Sequence, residues 1–165
     1  MLDSAQNRSS IIKAFPKLKD DKSFKIVDKA NPNYNCIAWA ANVTDCWWAN
    51  IPKNERPKVT LDGVKIDWPF EVEDEFSISA LVQIFTSLKF IECENWEYEE
   101  GFKKIAFYKK GNNATHAARQ LTYGKHKGIW SSKLGGSFLI HHETPHTIES
   151  IIYGKPVLYM KQNMR

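Results

Sequence analysis

Cys36 and His116 are suited by residue type and by order to acyl-transfer chemistry. Cys36 stands in "NYNCIAWAA", residues 33–41, where it opens an apolar run of helix formers. His116 stands in "THAARQL", residues 115–121. A thiol attacks carbonyls as its thiolate, and a helix N-terminus or a neighbouring imidazolium lowers its pKa. Asn35 is a good N-cap, which puts Cys36 in the first helical turn. An imidazole on a strand facing that helix would complete the pair, and His116 is the candidate. Strand alternation sets His116, Ala118 and Gln120 on one face. A further polar group must hold the ring in one tautomer, and His142, Gln120 or Glu143 would serve. Asn35 or the N–H of Cys36 would donate to an oxyanion. The competing reading of Cys36 is a small buried hydrophobe.

The neighbouring residues offer two roles, a cleft wall or core packing. Trp47 and Trp48 of "CWWANIP", with Trp39, would wall a groove beside Cys36 or else pack the core. Arg119, Ser132 and Lys133 are expected at the sheet rim, solvated or holding an acidic group of a substrate. Glu71, Glu73, Asp74 and Glu75 read as a solvated charge run. His126 lies in a Lys-rich turn, and His146 follows a proline in a loop. "HHETPH", 141–146, brings three histidines close in sequence but fits no HExxH pattern. No metal and no cofactor are expected.

These groups need elements to carry them. Residues 1–22 read as a loose lead-in with one short helix, "SSIIKAF". "SFKIVD" alternates like a strand and ends at the turn-rich "KANPN". "NCIAWAANV" starts a helix. Residues 44–75 read as irregular. "SISALVQIFTSLKF" is the clearest helix, with Ile78, Leu81, Val82, Phe85 and Leu88 at helical spacing and Ser77 as cap. Strands follow at "KKIAFYKK" (103–110), "THAARQL" (115–121), "IWSSKL" (129–134) and "PVLYMK" (156–161). The order is α+β: a cysteine-bearing helix packed on an antiparallel sheet.

The totals restrict the class. A chain of 165 residues, 42% hydrophobic, suits one folded domain over 1–165 rather than a disordered segment. No apolar stretch is long enough to cross a bilayer, so no membrane partner is expected. The start "MLDSAQNRSS" has no signal-peptide pattern, so the expected location is cytoplasmic, or outside by a route without a classical signal. Cys36, Cys46 and Cys93 are an odd number at unrelated spacings, which fits a reducing compartment. Charge is uneven: residues 1–100 hold 12 Lys/Arg and 17 Asp/Glu (12 − 17 = −5), and residues 101–165 hold 11 and 2 (11 − 2 = +9). The basic residues form no stripe and no nucleic-acid motif, so the halves are expected to pack together and offset each other, and nucleic acid is not an expected partner.

The blocks "NYNCIAWAA…WW" (33–48), "EEGFKKIAFY…THAARQL" (99–121) and "IWSSKLG…IHH…YG" (129–154) resemble those of a widespread family of small uncharacterised bacterial domains. Their order is similar to papain-like (NlpC/P60-like) cysteine hydrolases. That resemblance implies a papain-like core, Cys36 as nucleophile, His116 as general base and His142 as orienting group. His142 is chosen over His141 because the family's histidine falls seven residues after the glycine of SKLG, here Gly135. The position three before it is acidic in the family pattern and is Leu139 here.

The expected function is a thiol hydrolase or acyl-transfer enzyme acting on an amide of a peptide or protein. Asn35, Gln120 and Trp48 would form its substrate and oxyanion side. The alternative is a non-enzymatic interaction module that keeps the fold. An RNA-binding role rests only on the charge of residues 101–165.

Overall fold

The chain is described from a computed structural model covering residues 1–56, 58–59 and 63–165. Helix α1 (Ala5–Ala14) starts where Ser4 Oγ accepts the N–H of Asn7, and a 3-10 turn follows at Pro16–Asp20. This lead-in is not loose. Ile11, Phe15 and Leu18 are buried, and Arg8 reaches across to the carbonyl of Phe24. Strand β1 (Lys25–Asp28) comes next, then α2 (Cys36–Ala40).

Residues 44–75, expected to be irregular, carry a small three-stranded sheet. β2 (Trp47–Trp48) runs parallel to β4 (Lys65–Asp67), and β3 (Lys58–Val59) runs antiparallel to β4. Arg56 donates to the carbonyls of Ile51, Phe70 and Val72 and so ties this segment together. Strands of two or three residues are too short for alternation to reveal them. Pro57 and residues 60–62, which the irregular reading also took in, lie outside the described residues.

Helix α3 (Ile78–Ser87) begins at Ser77, whose Oγ accepts the N–H of Ala80. It buries Ala80, Leu81, Ile84 and Phe85. The remaining strands are β5 (Ile91–Cys93), β6 (Phe102–Lys110), β7 (Asn113–Gln120), β8 (Trp130–Lys133), β9 (Leu139–His142) and β10 (Lys155–Asn163). They form, with β1, a seven-stranded sheet in the order β1-β9-β8-β7-β6-β10-β5, with antiparallel neighbours throughout. The architecture is α+β.

Both faces of the sheet are covered. On β6, Ile105 and Phe107 join the core with α2 and α3, while Ala106 and Tyr108 join the core with α1. Two-residue alternation divides the strand between them. On β7, Ala117 belongs to the first core and Ala118 to the second. Ion pairs join the two halves: Lys104 and Lys161 meet Glu99, Lys127 meets Glu100, and in the opposite sense Lys17 meets Glu149.

Candidate active site

The N-cap is built as the sequence suggests, and its cap residue is fully engaged. Asn35 Oδ1 accepts the N–H groups of Ala38 (3.3 Å) and Trp48 (3.2 Å), and Nδ2 donates to the carbonyl of Trp48 (2.7 Å). The side chain therefore holds α2 to β2 and cannot be assigned as an oxyanion donor. Trp48 bonds Asn35 through its main chain, and its side chain is buried in the core that also holds Cys36.

The main-chain N–H groups of Ala117 on β7, of Ile37 and of Cys36 itself favour the charged form of the Cys36 sulfur. The Ala117 group belongs to the peptide immediately after His116, so the sulfur sits beside the histidine's own main chain. Burial pushes the thiol up to about 11, and these N–H groups with the charge of Lys133 only partly oppose it. At neutral pH that disfavours the thiolate by about 5 kcal/mol, four units at about 1.4 each. The lowered thiol pKa expected from the helix start is thus outweighed by burial.

His116 owes its aim to an irregularity in β7. The pairing passes from Tyr108↔His116 to Lys109↔Ala114, which leaves Thr115 as an extra residue. Such a bulge re-aims side chains. Ala114 and Ala117 accordingly share one core although they are three apart. Thr115 Oγ1 donates to the carbonyl of Tyr153, and the His116 ring stacks on the Tyr153 ring at 4.1 Å. The Tyr153 phenol is in turn pushed up by burial and by the Cys36 charge, so sulfur, phenol and imidazole share one neighbourhood.

The protons of this cluster follow from its hydrogen bonds. His142 Nδ1 faces the carbonyl of Thr144 at 2.8 Å, and a carbonyl only accepts. Nδ1 therefore carries the proton, and Nε2 of the neutral ring is an acceptor. Ser132 Oγ lies 2.8 Å from that Nε2 and 3.0 Å from His116 Nε2. Its hydroxyl must donate to His142, so its oxygen accepts from His116 Nε2–H. His116 Nδ1 is left as a bare lone pair, buried and with no hydrogen-bond partner. No hydrogen bond joins it to Cys36. Both histidines are kept neutral: burial and then His142 hold His116 well below its usual range, and burial pushes His142 down to about 4.

Ser132 and Lys133, expected at a solvated rim, are fully buried. Lys133 Nζ donates to the carbonyls of Asn31, Tyr34 and Gly135, tying the end of β8 to the loop that leads into Cys36. Its burial pushes it down to about 8. Neither residue had a signal in the sequence beyond its place in "WSSKL", because serine and lysine default to the surface. Tyr153 was missed for the same reason, since it reaches His116 only through the fold.

The other expected groups stand apart. Gln120 is buried, donates to the carbonyls of Trp96 and Gly128, and makes no hydrogen bond to His116. Glu143 is exposed, and its N–H is bound by Asp21. His141 makes a ring contact with His126 instead of Ser132. Trp39 donates to Ser131 Oγ, lies under Arg119, and lines neither described cavity. Trp47 packs by Gly136. The two described cavities do not reach Cys36 or His116. Among the described residues, no three His, Cys, Asp or Glu side chains come together as a metal set. No helix among them is long and apolar enough to cross a membrane.

Residues 25–161 match the family model of a domain of unknown function, DUF7689. The chain belongs to the DUF7689 family. No curated protein and no solved structure matches it. The DUF7689 match runs from the start of β1 into β10, so Cys36, His116, Ser132 and His142 all fall inside it and α1 falls before it.

Proposed function

We propose that this DUF7689 domain is a thiol hydrolase or acyl-transfer enzyme with a papain-like core, acting on an amide: a peptide bond, an isopeptide bond or a side-chain carboxamide. The observation that carries the reading is the bare Nδ1 of His116, a buried base with no hydrogen-bond partner, on the residue that precedes the Ala117 N–H acting on the Cys36 sulfur. Cys36 is the nucleophile and His116 the base. Ser132 and His142 are positioning residues that fix the tautomer.

A resting thiolate is too costly, so the thiol proton passes to Nδ1 as Sγ bonds the carbonyl carbon. The adduct collapses when His116 returns that proton to the departing nitrogen, leaving a thioester on Cys36. Water then adds, giving one proton to His116, and the carbon–sulfur bond breaks as His116 returns that proton to Sγ, which restores the thiol and releases the acid. N–H groups at the start of α2 face the developing oxyanion.

An active ester tests this without knowledge of the natural amide. Exposure to p-nitrophenyl acetate should leave an acetyl group on Cys36, read by peptide mass spectrometry. His116→Ala, checked for fold by circular dichroism, should slow that acetylation about 100-fold or more. Equal acetylation in both proteins, or none in either, sinks the assignment.

A second reading, an interaction module that keeps the fold, is favoured by one observation. Cys36 is only 7% exposed and His116 not at all, and no described cavity opens onto them. Failure of all acetylation would support it.

A further inference from the structure

At the end of the sheet, beside the C-terminal end of α2, lies a cavity of about 530 Å3 lined in part by Asn42, Lys103, Arg119 and Tyr123. That volume is in the range of small-ligand sites, about 300–1,000 Å3. Arg119 is fixed there on one side only. Its Nη1 donates to the carbonyl of Trp39 (3.2 Å) and to Asn42 Oδ1 (3.0 Å), and its guanidinium lies 3.8 Å from the centre of the Trp39 ring. Those contacts lock the plane of the fork. The Nε and Nη2 edge has no acceptor among the described residues. A guanidinium edge of this kind matches two oxygens of one carboxylate or phosphate.

Lys103 stands close enough to feel the Arg119 charge, and burial and that charge both lower its pKa. Its Nζ makes only a ring contact, 5.8 Å from the centre of Phe90. No ion pair among the described residues includes Arg119 or Lys103. The ionisable groups that favour the Arg119 charge are the phenols of Tyr123 and Tyr34. Lys104, which also lines the cavity, is already engaged by Glu99 and Asn95. Two partly desolvated cations side by side without an anion are costly, and a bound oxyanion removes that cost.

We propose that this cavity binds a small multivalent oxyanion, gripped by the free edge of Arg119 and by Lys103. The site stands at the opposite end of α2 from Cys36 and does not depend on the thiol chemistry.

The test is a titration of the full chain with inorganic phosphate and, separately, with citrate, at constant ionic strength. The Arg119 Nε resonance of 15N-labelled protein should shift saturably, and calorimetry should give a matching dissociation constant. Saturation by phosphate alone, citrate alone or both supports the site and tells which oxyanion it prefers. Arg119→Gln should weaken binding about tenfold or more, and Lys103→Gln about threefold or more, as expected for lost charge-assisted bonds. Lys155→Gln, at the start of β10, should leave it unchanged. Shifts that stay linear with both anions, or Lys103→Gln binding as tightly as the unmodified chain, overturn the proposal. Lys103→Gln decides the matter even if Arg119→Gln fails to fold, because Lys103 Nζ makes no hydrogen bond that the fold needs.

Discussion

Ser132→Ala removes one oxygen and strands two buried nitrogens. His116 Nε2–H loses its acceptor, and His142 Nε2 loses its donor. Neither ring can turn to water, since both residues are fully buried. A buried polar group left unpaired costs roughly 1–3 kcal/mol, so two of them cost about 4 kcal/mol in total. Ser131→Ala on the same strand is the natural control. Ser131 is equally buried, but its Oγ accepts a single bond, from Trp39 Nε1 at 3.1 Å, and its loss should cost about 1 kcal/mol. Urea unfolding at pH 7 measures both, with the m-value checked for two-state behaviour. For a domain of this size the larger loss also lowers the melting temperature by about 8–16 °C. Long-range 1H–15N spectra add a direct reading: His116 should carry its proton on Nε2 and His142 on Nδ1. A Ser132→Ala cost no larger than that of Ser131→Ala would refute the linked-proton argument. So would a proton on His116 Nδ1, and the base assignment would fall with it.

Two further expectations follow from the same geometry. His142 holds its proton less tightly folded, at about 4, than unfolded, at about 6.5, so its stabilising effect is complete above pH 6.5 and is lost as pH falls towards 4. The loss is about 3 kcal/mol, and urea midpoints at pH 7, 5.5 and 4 should fall more steeply for the unmodified chain than for His142→Gln; a His142 ring that titrates at 6.5 or above contradicts it. Gly154 has a φ of +71°, and a Cβ there would stand 2.0 Å from the carbonyl oxygen of Lys109, so Gly154→Ala should lower stability by about 3 kcal/mol or more. Gly111, at φ +60° with open space, should lose only about 1 kcal/mol as alanine, and equal melting temperatures for the two variants would show that the close approach is absent.

Local signals made part of this molecule legible from its sequence. Asn35 and Ser77 mark helix starts because a cap is a contact over three residues, and the β6–β7 hairpin shows because its strands are long and its turn short. Cys36, His116 and His142 could be singled out by residue type and order. Their arrangement could not. The aim of His116 depends on one extra residue, Thr115, which shows only when β7 is laid against β6. Ser132 and Lys133 look like surface residues until β8 is placed between β7 and β9. The thiol's charge state depends on burial from several elements at once, which no helix-start argument contains. The lead-in reads as loose from sequence because α1 is polar over most of its length, and only Ile11, with Phe15 and Leu18 after it, anchors it.

The order of the large sheet also bears on how the protein behaves when crowded. Its longest strands, β6 and β10, are flanked on both sides, and the margins fall to β1 and β5, of four and three residues. Each margin carries charge, Lys25 and Asp28 on one and Glu92 on the other. A second molecule seeking to extend the sheet meets a brief, charged border, a poor template for end-to-end fibril growth. The nine-residue strands that could seed such growth stay sequestered for as long as the domain is folded.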